Sequence, residues 1–144
     1  MDKETGSIPT VFVSHRLSEA DEAFVQGLTR YLTDKGFKVI TGKLATGYIS
    51  QAVISRIKDA EFFLCLLTRA DQKADGMYTA SAWLHQELGA AIAFNKPVVL
   101  MVEEGVTDLG GLQGDVQRIH FADRGFMNAA LDAVEILRAG REAN

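Results

Sequence analysis

From Phe62 to Leu67 the chain reads Phe-Phe-Leu-Cys-Leu-Leu, an apolar run without alternation. A strand with one wet face would alternate. An uninterrupted run marks a strand buried on both faces, as in a parallel sheet covered by helices. This segment, Glu61–Leu67, is the most apolar and is expected at the sheet's centre. Shorter runs at Thr10–Ser14, Phe37–Ile40, Pro97–Val102 and Arg118–Phe121 repeat the pattern. Amphipathic stretches lie between them. Ser18 is expected to cap the first helix, with Asp21 as its capping-box partner and Gly36 as its stop. That helix has a stripe of Ala20, Phe24, Leu28, Tyr31 and Leu32. Tyr48–Lys58, Ser81–Ile92 and Phe126–Ala139 supply the remaining helices. Strand and helix alternate along the chain, with the Gly-rich connection Glu103–Gly114 before the last strand, which predicts an α/β fold: a flavodoxin-like five-stranded parallel sheet, order 2-1-3-4-5, with helices on both faces. Residues 1–9 read as a flexible N-terminal lead-in and residues 10–144 as a single domain. The polar Thr68–Ala80 connection has the length of a functional or mobile loop, a lid or a partner surface.

Composition removes several function classes. A net charge of −4 argues against a dedicated nucleic-acid binder. No apolar run approaches a membrane span, and no basic-then-apolar leader opens the chain, so a cytoplasmic protein is expected. Cys65 is the one cysteine, and its apolar surroundings predict an inert buried thiol. His15, His85 and His120 have no metal-ligand spacing, so no metal site is expected. Neither GxGxxG nor GxxxxGK[ST] occurs, which removes the warrant for a dinucleotide dehydrogenase or a P-loop enzyme. A phosphoacceptor receiver would carry acids at the ends of its first and third strands, where this chain has Ser14 and Thr68.

In a sheet of this order, ligands bind beyond the carboxyl ends of the strands, between the first and third. That rule gathers Ser14-His15-Arg16, the Thr41–Gly47 loop with Lys43, Thr68 and the start of the Ser81–Ile92 helix around one crevice. The helix contains an anomaly. At about 100° per residue, Trp83, Phe94, Ala80, Ala91, Leu84, Leu88 and Ile92 share one arc, and Glu87 falls inside it. A carboxylate on a core-facing arc is costly unless it is paired or used. Glu87 is therefore either an ion-pair partner of Arg16 or Lys43, or a catalytic group. Trp83, one turn earlier on the same side, is either core or the wall of a site. His85 is expected to face solvent, and His120 to lie in the last strand.

Several of these segments resemble a Toll/interleukin-1 receptor (TIR) domain. Val11-Phe12-Val13-Ser14-His15-Arg16 is similar to that family's first box, and Gly36-Phe37-Lys38-Val39 to its second strand. Leu44-Ala45-Thr46-Gly47, the following helix and Phe62–Thr68 resemble the loop, helix and central strand that come next. Ser81-Ala82-Trp83-Leu84-His85-Gln86-Glu87-Leu88 is similar to its Ser-x-Trp-x-x-x-Glu helix. His15 stands where Tyr or Phe is commoner, and Gly42 and Ala45 stand where acids often occur. The loop lacks the proline of receptor and adaptor versions, which favours the enzymatic branch.

The resemblance implies a cytoplasmic NAD+ glycohydrolase, with or without cyclisation, acting in signalling or antiviral defence. Glu87 would be catalytic, with Ser14, His15, Arg16, Lys43 and Trp83 around the substrate. NAD+ is then substrate, not cofactor, and self-association through TIR–TIR contacts is implied. No nucleic acid, membrane or metal enters. The chemistry is consistent on its own terms. Nicotinamide leaves as a neutral ring, and one carboxylate can stabilise an oxocarbenium-like transition state. Arg16 or Lys43 can meet a pyrophosphate. Two other readings use the same residues. Gln86–Ala91 followed by Lys96-Pro97-Val98 resembles a nucleoside deoxyribosyltransferase, with Glu87 as nucleophile. A non-catalytic TIR interaction module would leave Glu87 ion-paired.

Overall fold

A computed structural model describes residues 8–16, 19–41, 51–108, 117–122 and 126–143. Its strands are β1 (Thr10–Ser14), β2 (Lys38–Thr41), β3 (Phe62–Leu67), β4 (Tyr78–Thr79), β5 (Val98–Glu103), β6 (Val106–Asp108) and β7 (Gln117–Phe121). Its helices are α1 (Glu22–Asp34), α2 (Gln51–Asp59), α3 (Ala82–Ala93) and α4 (Phe126–Ala143), with a 3-10 turn over Glu19–Asp21 before α1. The main sheet has five strands in the order β2-β1-β3-β5-β7. Every pairing in it is parallel. Leaving out β4 and β6, which form their own small sheet, this is the expected order 2-1-3-4-5.

The side-chain period of two explains the unbroken apolar runs. Val11, Val13, Phe62, Leu64, Leu66, Val99 and Met101 face α1 and α4 in one core. Phe12, Phe63, Cys65, Leu67, Leu100 and Val102 face α2 and α3 in the other. All six residues of β3 are buried. The Phe12 and Phe63 rings stack with centroids 5.7 Å apart. The helices contribute Val25, Leu28 and Leu32 from α1, Val53 and Ile57 from α2, and Leu84, Leu88 and Ala91 from α3. Gly36 stops α1 with φ +95°, and Asn95 with φ +60° ends α3 ahead of Pro97.

The long connections are more structured than their composition predicts. Within 68–80, Lys73 N–H donates to the Met77 carbonyl and Thr79 N–H to that of Asp71. β4 then pairs in parallel with β6, and Tyr78 N–H donates to Gly105 O at 2.8 Å. Arg69 fastens this small sheet to the main one. Its Nε donates to Glu104 O at 2.7 Å, its guanidinium lies 5.1 Å from the Tyr78 ring centroid, and its backbone N–H meets Glu103 Oε1 at 2.9 Å.

Asp21 does not stand where the capping-box expectation puts it, inside the first turn of the helix. Asp21 occupies the N-cap position of α1, but its backbone is helical (φ −93°, ψ −7°) and its side chain makes no cap hydrogen bond. The 3-10 turn runs directly into α1, so the carboxylate is directed away from the helix end. Ser18 lies outside the described residues.

Candidate active site

Burying a polar side chain is costly without hydrogen bonds, so buried polar groups show where a fold departs from simple packing. Among the described residues they are Ser14, His15, Asp21, Thr68 and Glu87. Ser14 closes β1, His15 follows it, and Thr68 follows β3. Glu87 and Asp21 come from helices on opposite faces of the sheet and reach those same strand ends. β1 and β3 are adjacent, and the sheet order reverses there. The buried polar groups thus concentrate at the switch point, where α/β sheets bind ligands.

Glu87 lies on the α3 face between Leu84, Leu88 and Ala91 and is 1% exposed. Ser14, which shares its side of β1 with Phe12, donates its hydroxyl to Glu87 Oε1 at 2.5 Å. Cys65 is the register partner of Ser14 across β1 and β3. Burial pushes the Cys65 thiol well above its ordinary range, and the nearby charge of Glu87 pushes the same way against a hydrogen-bonding contribution from Ser14. Cys65 is therefore a neutral thiol packed beside the carboxylate.

The α1 face has a second cluster. Asp21, 3% exposed, accepts from Thr68 Oγ1 at 2.6 Å and from Arg16 Nε at 3.2 Å, both through Oδ2. The imidazole of His15 contacts the Arg16 carbonyl at 3.1 Å through Nδ1. A carbonyl can only accept, so Nδ1 carries the proton, and Nε2 is the acceptor when the ring is neutral. A groove of about 800 Å³ runs from His15 along α1, past Glu22, Gln26 and Arg30, to Thr41.

Ser14, His15, Arg16 and Glu87 therefore converge on one strand end, but on two faces. Arg16 is engaged by Asp21, not by the Glu87 carboxylate that the ion-pair alternative assigned to it. Lys43 and the side chain of Trp83 lie outside the described residues. The backbone of Trp83 is in the first turn of α3. His85 is partly buried, and His120 is exposed on β7. Asp21 is the site residue that sequence reasoning missed. Its only signal was an acid four residues before Val25, which local patterning assigns to capping. Among the described residues, no group of three or more His, Cys, Asp or Glu is placed to hold a metal ion. No helix among them is long and apolar enough to cross a membrane.

The TIR-domain family matches residues 11–137, which span both clusters. The chain belongs to the TIR-domain family. No curated protein matches it in sequence. Among solved structures, the Clostridium botulinum CMP N-glycosidase BcmB is similar at 17% identity and a TM-score of 0.55, over 86% of this chain and 97% of that one. A diflavin flavoprotein A3 from Nostoc sp. is similar at 10% identity and a TM-score of 0.56, over 86% and 88%. The TIR domains of the activated Roq1 resistosome match at 21% identity and a TM-score of 0.48, over 67% of this chain and 58% of that one. At these identities the two likenesses above 0.5 establish the fold of this TIR domain: a flavodoxin-like parallel sheet.

Proposed function

We propose that this TIR domain cleaves the nicotinamide–ribose bond of NAD+, releasing nicotinamide and an ADP-ribose product, with Glu87 as its catalytic residue. The observation that carries this reading is a carboxylate buried at the switch point and oriented by Ser14 at 2.5 Å. Departure of a neutral ring from a cationic pyridinium needs no general acid. The demand is for negative charge beside a developing oxocarbenium ion, and a preorganised carboxylate in a dry site meets it. Low local polarity strengthens that interaction. Arg16 would take a phosphate, and Lys43 and Trp83 would complete the substrate's surroundings. With Glu87 closed to solvent, turnover requires an opening step, and self-association of TIR domains is the step we assign to it. A cytoplasmic role in signalling or antiviral defence goes with this activity.

A second reading keeps the bond type and changes the substrate. The CMP N-glycosidase shares the fold over nearly its whole length, which favours a nucleotide or nucleoside as the alternative to NAD+. A deoxyribosyltransferase-like enzyme falls in this class, with Glu87 attacking the sugar. One assay separates the readings: NAD+, CMP and deoxynucleosides are each incubated with wild type, Glu87→Gln and Glu87→Ala, and the free base is quantified. Nicotinamide release by wild type, lost in both variants, supports the proposal. Release that survives both substitutions sinks the role of Glu87. Base release from CMP or deoxynucleosides alone moves the activity to the second reading, and silence toward all substrates at high protein concentration favours a non-catalytic interaction module.

A further inference from the structure

Asp21 is a buried carboxylate that glycosidic chemistry at Glu87 does not use. Burying such a group is unfavourable unless its partners compensate, so the identity of those partners is informative. Thr68 is buried with it, but Arg16 is not: the Arg16 side chain is 26% exposed against 4% for that of Asp21. A pair built only to stitch the core would bury both charges. Here the acid is inside and the guanidinium sits at the rim of the switch point.

The bonding pattern is also selective. Asp21 meets Arg16 through a single nitrogen, Nε, and through one oxygen, Oδ2. The same oxygen accepts the Thr68 hydroxyl at 2.6 Å, which fixes the carboxylate to the end of β3. A bidentate pairing would consume an Nη as well. The single bond instead leaves both Nη groups of Arg16 without a partner among the described residues, in the fork geometry that suits phosphate oxygens. His15 holds the Arg16 carbonyl at 3.1 Å, so the arginine is anchored at its backbone as well as at its side chain.

We propose that Asp21, fixed by Thr68, is a positioning residue that holds Arg16 as a preorganised receptor for the phosphate of a nucleotide bound at this switch point. The proposal deepens the reading above and rests on it only in requiring a phosphate-bearing nucleotide, whether or not that nucleotide is NAD+. Preorganisation removes the rotamer entropy that a free arginine would lose on binding. Asp21 therefore acts on affinity for the phosphate and not on bond cleavage itself.

The test compares equilibrium binding of ADP-ribose and CMP with binding of adenosine and cytidine, for wild type, Asp21→Asn, Thr68→Val, Arg16→Lys and Arg16→Ala. Wild type should prefer each phosphate-bearing ligand over its nucleoside by about tenfold or more, and Arg16→Ala should erase the preference. Asp21→Asn and Thr68→Val should shrink it about three- to tenfold while nucleoside affinity stays level. Nucleoside affinity reports on folding, so a merely structural role would move both ligands together. Arg16→Lys should retain only part of the preference, because an ammonium lacks the fork. Equal losses for nucleotide and nucleoside in Asp21→Asn, or no change in either, would overturn the proposal, as would a wild type without phosphate preference. With NAD+ as substrate, Asp21→Asn should raise KM more than it lowers kcat. Glu87-dependent NAD+ cleavage with KM unmoved by Asp21→Asn sinks this proposal and keeps the glycohydrolase. Phosphate preference without NAD+ cleavage does the reverse.

Discussion

Ser14 and Glu87 lie 73 residues apart in sequence, yet the serine hydroxyl donates to the glutamate carboxylate at 2.5 Å inside the fold. The contact joins the last residue of β1 to the middle of α3, so it both docks the helix and sets the orientation of the acid. Ser14→Ala withdraws that donor while keeping a side chain that a strand end accommodates. We expect a stability loss of about 1–3 kcal/mol, the usual cost of removing a hydrogen-bond partner from a buried charged group. Urea denaturation measures it. A loss indistinguishable from zero would mean that the contact contributes nothing to the folded state.

Glu87→Gln and Glu87→Ala should separate folding from chemistry. The amide keeps an oxygen that can accept from Ser14 and nearly the same volume, so its midpoint in urea should stay closer to wild type than that of the alanine variant, which also leaves a void beside Leu84 and Leu88. Turnover should fall by about 10²-fold or more in both, since the charge that the transition state needs is gone in each. An amide variant that retained turnover would show that shape, not charge, is the contribution of Glu87.

How far these features were legible in sequence depends on the range of the interactions that create them. β3 was readable because burial on both faces leaves no room for a polar residue between Phe62 and Leu67. Glu87 was readable because its neighbours three and four positions away are all apolar, and the helical period alone places it among them. Asp21 was not. Its partner Thr68 is 47 positions distant, and a Ser18–Asp21 spacing satisfies a purely local capping pattern. The β4–β6 sheet was equally hidden, because Tyr78 N–H bonds the Gly105 carbonyl and the Arg69 side chain bonds that of Glu104, and carbonyl partners leave no mark in the side-chain pattern. The family resemblance was carried by ordered motifs along β1, β2, β3 and α3, the elements that set the switch point.

Gly105 is the position where that small sheet is most sensitive. Its φ is +96°, and a Cβ there would meet Arg69 Nε at 3.3 Å and the Tyr78 ring at 3.5 Å. Gly105→Ala should therefore combine left-handed backbone strain of about 1 kcal/mol with displacement of the arginine that ties β4 and β6 to the main sheet. We expect a lower Tm and faster amide exchange at Tyr78, whose N–H is bonded to Gly105 O, with β3 amides changed only to the extent of the global loss. Unaltered exchange at Tyr78 would mean that the turn absorbs the methyl group without releasing the small sheet.

Cys65 gives the protein a pH signature. Burial, reinforced by the charge of Glu87, raises its folded pKa far above the ordinary thiol value. In the unfolded chain the thiol ionises at about pH 8.5. Below that pH both states hold the proton, and stability does not depend on this group. Above it the unfolded state releases a proton that the folded state retains, so stability falls as pH rises, by at most about 1.4 kcal/mol per unit. Cys65→Ala removes the effect at a fixed packing cost that does not vary with pH. The difference in unfolding free energy between wild type and Cys65→Ala, measured by urea denaturation from about pH 7 to about pH 10, should be flat at first and then shift steadily against wild type. The same burial predicts that iodoacetamide alkylates Cys65 at the rate of protein opening. Parallel stability curves, or rapid labelling of the native protein, would show that the thiol beside Ser14 is reachable by solvent and that the switch point is open at rest.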